Sequence, residues 1–269
     1  MRPTVEIRHR DARALAHGYS RGIRRLEVGS ITALGVLMGL LLYRLAPYVG
    51  THFWLLLSAV AVGYVGADFV SGFVHWMADT WGSVDTPFIG KALIRPFREH
   101  HVDQKAITRH DFVETNGNNC LICLPVISVT LLLPLGPDRE LSLFASAFVV
   151  SLLLWVFGTN QFHKWAHLER PPRGVRWLQK TRLILSPEHH AVHHRAPYSS
   201  HYAITSGWVN GPLAAVRFYP RLEALVTRLT GALPRRDDLG ERAARNAAEM
   251  PPEGRPEQRP SADVTAKAS

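Results

Sequence analysis

The chain has 269 residues, 46% of them hydrophobic, which is enough apolar material for one or two domains. A net charge of +9 taken alone suits a nucleic-acid binder. Here, however, the Arg and Lys residues flank long uncharged segments, which suits membrane topology better than a phosphate-tracking stripe, so no nucleic-acid partner is expected.

Residues 1–27 form a basic N-terminal arm, with seven arginines by position 25. It lacks the short apolar core and small-residue cleavage site of a signal peptide, so no cleaved leader is expected. An uncharged apolar run then extends from Val28 to Tyr43, ending at Arg44 and Pro47. A second covers Leu45 to Ala67 and continues past Asp68 to Trp76; a third runs from Thr115 to Pro137 and a fourth from Leu141 to Phe162. The last two are each long enough to cross a bilayer core as a helix. The first is short and the second carries Asp68, which leaves a tilted hairpin open in place of two clean spans. An aspartate inside an apolar run is costly and marks a position of interest, but its partner cannot be named from sequence. Cys120 and Cys123 form a lone CxxC at the start of the third run; with no second pair they read as buried small side chains, and no disulfide framework follows.

Charge sets the orientation. The arm, the segment 77–114 (Lys91, Arg95, Arg98, Lys105, Arg109) and the segment after the fourth run (Lys164, Arg170, Arg173, Arg176, Lys180, Arg182) are rich in cations. The connections on the other side, 46–51 and 136–140, are short. The excess of Lys and Arg predicts four spans with both termini cytoplasmic. Every His cluster then falls on the cytoplasmic side or at the cytoplasmic end of a span, and His52 lies opposite. That sorting points to one shared site. Further on, Ser206 to Pro212 reads as a turn, and Pro220 opens an amphipathic helix with Leu222, Leu225, Val226 and Leu229 on one face, closed by Gly231. Residues 235–269 show no sustained apolar period and are expected to be a disordered tail, which leaves 28–234 as the membrane domain.

Four groups carry donor atoms. His75 and Asp79 stand at i,i+4 where the second span would emerge. Glu99, His100 and His101, followed by His110 and Glu114, lie in the long cytoplasmic segment. His163 and His167, again at i,i+4, close the fourth span. The fourth group is the tetrad His189, His190, His193 and His194, whose spacing on a helix offers several rings to one point. Rings packed this way repel when protonated and are costly to bury unpaired; a metal ion removes both difficulties. The supply exceeds one zinc and fits two ions in one pocket, as in helical di-iron proteins. Asp79 is expected to hold a ring nitrogen in the right tautomer. Trp76, Trp81, Trp155 and Trp165 read as an interfacial aromatic belt.

These residues also resemble a known family. The stretch from Asp68 to Val84, with His75-Trp76-Met77-Ala78-Asp79, is similar to the first motif of the plasmanylethanolamine desaturases. The second is matched by Ile94 to Asp103 with Thr108 to Phe112 and Glu114 to Gly117. The third corresponds to Asn160 to His167, and the fourth to the tetrad with Ile204 to Asn210. Plant plastid fatty-acid desaturases share the framework. One departure is visible: Pro197-Tyr198 stands where the family has a Pro-His word, and His201 where an aromatic is usual.

The resemblance implies an all-α integral membrane enzyme, four transmembrane helices under a cytoplasmic His-rich helical cap that holds two iron ions. Such an enzyme uses O2 and an external electron donor, cytochrome b5-like or ferredoxin-like, to form the vinyl-ether double bond of a membrane ether phospholipid. The implied ligands are His75, His100, His101, His110, His163, His167, His189, His190, His193 and His194, with Asp79 beside them in the catalytic set. The location would be the inner membrane of a bacterium or the endoplasmic reticulum of a eukaryote. Two other readings stay open: an acyl-lipid desaturase or hydroxylase on the same scaffold, and a non-catalytic membrane metal-binding or sensor protein.

Overall fold

The computed structural model describes residues 19–83, 86–87, 89–90, 94–195 and 198–234. The first part of the basic arm and the tail 235–269 lie outside them. The described chain is all helical, with four long helices: α1 (Arg21–Leu45), α2 (Phe53–Thr80), α5 (Phe112–Thr130) and α6 (Glu140–Ala166). Between and after them come α3 (Arg95–Val102), α4 (Ala106–Arg109), α7 (Arg173–Lys180), α8 (Pro187–His193), α9 (Asn210–Ala215) and α10 (Phe218–Thr230).

Helix starts follow local chemistry. The Ser20 hydroxyl accepts the Ile23 N–H at 3.2 Å at the head of α1. At α5 the Asp111 carboxylate accepts from Val113 N at 2.9 Å and Glu114 N at 3.0 Å, which satisfies two of the donors every helix N-terminus leaves open. The connection after α1 is a single tight turn through Pro47, and Arg44 fastens the end of α1 to the end of α5 by donating to the Leu131 and Leu133 carbonyls.

Three helices, α1 with its following turn, α2 and α6, are long and apolar enough to cross a membrane. The first two are therefore full-length helices and not a short hairpin. The run read as short gains its length because helix begins at Arg21, seven residues before the apolar stretch does. The expected third span is different. α5 has 19 residues, its first half carries Thr115, Asn116, Asn118 and Asn119, all buried, and it ends at Thr130. Those amides turn inward: Asn160 Nδ2 donates to Asn118 Oδ1 at 3.0 Å, and Asn119 Nδ2 to the Val156 carbonyl at 2.9 Å. A segment uncharged in sequence is thus half polar core and half apolar helix.

α2 runs along α6, α1 along α5, and α5 on α6. Leu34, Leu41, Leu56, Ile127, Leu143 and Leu153 fill the interior, together with Cys120 and Cys123, which are buried and free. Outward-facing Trp54, Tyr43, Leu132 and Leu141 are each more than three-quarters exposed, a surface that suits lipid and not water. The α2–α6 crossing is close because Gly63 has no side chain. A Cβ there would stand 2.7 Å from both the Phe148 carbonyl oxygen and Ser151 Cβ. Ser151 uses the approach to donate to the Val60 carbonyl at 2.7 Å.

The short helices gather at the end of the bundle where α2 and α6 finish. α10 starts two residues earlier than its sequence pattern predicts, at Phe218, and ends as predicted at Gly231, whose φ is 73°. It docks through Tyr219 and Leu222, while Leu225 and Leu229 remain exposed. The turn predicted from Ser206 to Pro212 stops earlier, because Asn210 opens α9. Replacing Gly63 by Leu must push α2 and α6 apart. We expect Gly63→Leu to cost about 1–3 kcal/mol, visible as a lower thermal midpoint of the detergent-purified protein.

Candidate metal centre

Ligand geometry starts at the ends of the long helices. α2 presents His75 and Asp79 one turn apart, and α6 presents His163 in its last turn with His167 as its cap. α3 brings His100 and His101 across these ends. α8 is short and starts at Ser186, whose hydroxyl accepts the His189 N–H at 3.3 Å; His194 follows its last turn.

The donors fall into two groups. His100, His163, His167, His190 and His194 bring one ring nitrogen each within 4.8 Å of one another, and His75, Asp79, His101 and His193 do the same. In the first group, Nε2 of His163 lies 3.0 Å from Nε2 of His100 and 2.8 Å from Nε2 of His190, which is 2.8 Å from Nε2 of His194. In the second, the Nε2 atoms of His101 and His193 are 3.1 Å apart, and Asp79 Oδ2 is 3.2 Å from Nε2 of His75 and 3.4 Å from Nε2 of His101. Two nitrogens at right angles, each about 2.1 Å from one ion, would stand about 3 Å apart. The observed spacings match that figure.

The surroundings set the tautomers. His75 Nδ1 faces the Tyr202 carbonyl at 2.9 Å and His193 Nδ1 the Ser200 carbonyl at 2.9 Å. A carbonyl can only accept, so Nδ1 carries the proton and Nε2 keeps the lone pair a metal needs. Burial, and then the neighbouring rings, push the His100 and His190 imidazoles well below their ordinary range, and burial followed by His101 does the same to His193. His194 falls to about 3 and His167 to about 4, burial again coming first. Neutral rings result. His75 Nε2 and His167 Nε2 are buried with no hydrogen-bond partner. Buried, neutral and unpartnered nitrogens aimed at a common point are the donor set of a divalent transition metal.

Sequence spacing predicts the tetrad but not its division. His190 and His194 join the first group and His193 the second, while His189 turns away to meet Asn210 Nδ2 at 2.9 Å, beside His201 at 5.2 Å between ring centroids. His110 also stands outside both groups. Its Nε2 is 3.6 Å from Glu114 and 3.7 Å from Glu99, carboxylates that also pair with Arg95 at 3.3 and 2.7 Å. Asp79, expected to steer a ring, places its Oδ2 within the second group, facing Nε2 of His75, His101 and His193. Tyr198 stacks on His101, with centroids 5.1 Å apart and planes at 20°. Pro197 lies outside the described residues.

Four supporting residues find partners that sequence spacing does not name. Asp68, the lone carboxylate of the second apolar run, accepts three backbone N–H groups, from Ser206 at 2.8 Å, Gly207 at 2.9 Å and Val209 at 3.0 Å. Ser71 accepts from Ile204 N at 3.1 Å, and Asn210 bonds both backbone groups of Ala203 at 2.9 and 3.0 Å. Together they fix the segment whose Tyr202 carbonyl orients His75. Arg98, fully buried, caps α2 by donating to the carbonyls of Ala78, Trp81 and Gly82 at 2.9–3.1 Å. The sequence signal for the first of these was the cost of Asp68 itself. A cavity of about 280 Å³, lined in part by Lys105, His167, His190 and His194, opens the first group to the outside.

Membrane-length helices that end in two buried imidazole groups define a membrane protein with a metal-binding head. The lipid desaturase domain matches residues 64–237. The chain is 57% identical over 243 residues to the plasmanylethanolamine desaturase of Myxococcus xanthus, covering 89% of this chain and 85% of that protein. It is 45% identical over 236 residues to plasmanylethanolamine desaturase 1 of Mus musculus, covering 86% and 87%. Against the chloroplastic fatty acid desaturase 4 of Arabidopsis thaliana it is 36% identical over 176 residues, covering 64% and 52%. No solved structure matches. The chain belongs to the lipid desaturase family, on the plasmanylethanolamine desaturase branch, and is an oxidoreductase.

Each group should hold its own ion. Purified His194→Ala and His193→Ala proteins are expected to lose one ion per chain relative to the parent, and His110→Ala to keep both. Elemental analysis by plasma mass spectrometry makes the comparison.

Proposed function

We propose that the protein is an O2-dependent di-iron desaturase that forms the vinyl-ether double bond of plasmalogens from 1-O-alkyl (plasmanyl) ethanolamine phospholipid. The observation that carries this is the pairing of two imidazole groups side by side, with His75 of one 5.8 Å from His163 of the other and His101 6.0 Å from His194 between ring centroids. Two relatives, 57% and 45% identical to the chain, bear the name of that activity.

The overall change removes two hydrogens from adjacent carbons of the alkyl chain. O2 takes them together with two electrons from an outside donor and two protons, and two waters leave. Iron, when bound, supplies the oxidising power that no side chain has. The first group would take one ion through His100, His163, His167, His190 and His194, and the second the other through His75, Asp79, His101 and His193. His110 and His189 would then act beside the ligands: His110 with Glu99 and Glu114, His189 by holding Asn210.

The chain's own part is placement and exclusion of water. His75, His100, His190 and His193 are at most 2% exposed, which keeps solvent off these rings except through the cavity beside His167, His190 and His194. A phospholipid held in a bilayer can bring the first carbons of its chain to this depth while its head group stays at the interface. Four spans, with α5 as the third, would set both termini and the short helices on the cytoplasmic side, consistent with the Lys and Arg of the connecting segments. The membrane would be the inner membrane of a bacterium or the endoplasmic reticulum of a eukaryote. The electron donor, cytochrome b5-like or ferredoxin-like, would approach from that same side.

In cells that lack vinyl-ether lipids, the parent chain is expected to produce them. His190→Ala and His193→Ala are expected to produce none while still appearing in the membrane fraction. Lipid mass spectrometry reads the result; acyl double bonds or hydroxyl groups in place of vinyl ethers would shift the assignment to acyl desaturation or hydroxylation. Undiminished product from both variants would remove the metal centre from the chemistry.

A further inference from the structure

A file of oxidisable rings leads away from the second imidazole group, and none of them is among its candidate donors. Tyr202 comes first, its ring centroid 5.8 Å from that of His75 and 5.2 Å from that of His193. Tyr219 stands edge-on to Tyr202 at 4.9 Å, and Trp76 stacks on Tyr219 at 5.6 Å with planes at 30°. Trp81, half-buried, continues outward 6.3 Å from Trp76. Trp76 itself is 2% exposed and donates its indole Nε1–H to Oε1 of Glu223 at 2.8 Å.

Packing accounts for rings in contact, since buried aromatics prefer stacked and edge-on pairs. It does not call for a carboxylate at the far end, because a carbonyl or an amide oxygen would satisfy the indole equally well. The carboxylate matters once an electron leaves. An indole that loses an electron becomes a strong acid, and a positive charge stranded in a low-dielectric interior is costly. With Glu223 in place the proton has somewhere to go. Tyr219 lacks this, for its phenol oxygen is buried with no hydrogen-bond partner. An electron can cross the Tyr219 ring, but the vacancy settles on Trp76.

We propose that Trp76, with Glu223 as its proton acceptor, is a one-electron donor that quenches the centre when O2 has oxidised it with no lipid in place. This rests on the reading of the centre as an O2-activating one. In the step, Trp76 gives one electron, relayed through Tyr219 and Tyr202, to the oxidised centre, and its Nε1 proton passes to Glu223. The products are a neutral indolyl radical and a centre reduced by one equivalent. The oxidising equivalent comes from O2, which the reduced centre has taken up; the external donor supplies only the electrons that reduced the centre beforehand. A soluble one-electron reductant such as ascorbate, arriving at the Trp81 and Glu223 side, restores the indole as Glu223 returns the proton.

The test is electron paramagnetic resonance of the full-length, iron-loaded and chemically reduced protein, mixed with O2 and frozen, with and without ether lipid. O2 uptake and vinyl-ether product are measured in parallel. Without lipid, an indolyl radical is expected, lost in Trp76→Phe and in Glu223→Gln, and retained in Tyr219→Phe, which keeps the bridging ring. With lipid, product forms in all three variants and the radical is suppressed. Trp76→Phe held in O2 without lipid should also show more oxidised His in peptide mass mapping than the parent. A radical unchanged in both Trp76→Phe and Glu223→Gln, or no ring radical from protein that takes up O2 and desaturates lipid, overturns the proposal and leaves the desaturase reading intact. Should Trp76→Phe fail to fold, Glu223→Gln decides. Absence of O2 uptake in the reduced parent overturns both.

Discussion

Eight imidazoles and a carboxylate buried in two adjoining groups are stable together only if something positive lies between them. His100, His190 and His193 have given up water, which penalises their protonated forms, and neighbouring rings penalise them further. These three rings are therefore neutral, and ring nitrogens within the two groups stand 2.8–3.1 Å apart. Neutral nitrogens cannot bond each other without a shared proton or an ion. A pair of metal ions would satisfy all of them at once, and the helices around the site hold the rings in that arrangement.

That holding is done by residues with no metal-binding role. Asp68 sits in the middle of an apolar helix, where an unsatisfied carboxylate would be prohibitive, and takes three backbone N–H groups from the segment after the tetrad. The same segment supplies the Tyr202 and Ser200 carbonyls that fix the tautomers of His75 and His193. Arg98 holds the end of α2. Gly63 lets α2 and α6 run close enough for His75 and His163 to meet above their crossing. Loosening any of these moves a nitrogen out of reach without touching a ligand.

Much of this was legible in the chain. The i,i+4 and i,i+3 spacings placed His75 with Asp79, His163 with His167, and the tetrad on helical turns, and the apolar runs placed those turns at helix ends. Helical spacing fixes which face a ring occupies, not which of two neighbouring donor groups it joins, and so the split of His190, His193 and His194 between groups was beyond it. His189 needed Asn210, 21 residues later, to draw it aside. His110 needed the Arg95, Glu99 and Glu114 cluster to occupy its ring. The polar half of α5 carries no charge and reads as a span, although its amides turn to α6. In each of these cases a tertiary partner decided the outcome.

The most direct test of the central claim is X-ray absorption at the iron edge of the purified, metal-loaded protein, paired with metal stoichiometry. Two ions per chain, a first shell of nitrogen and oxygen dominated by imidazole, and a metal–metal scattering vector are the expected result. One ion per chain, or iron in a shell poor in imidazole, would contradict the account.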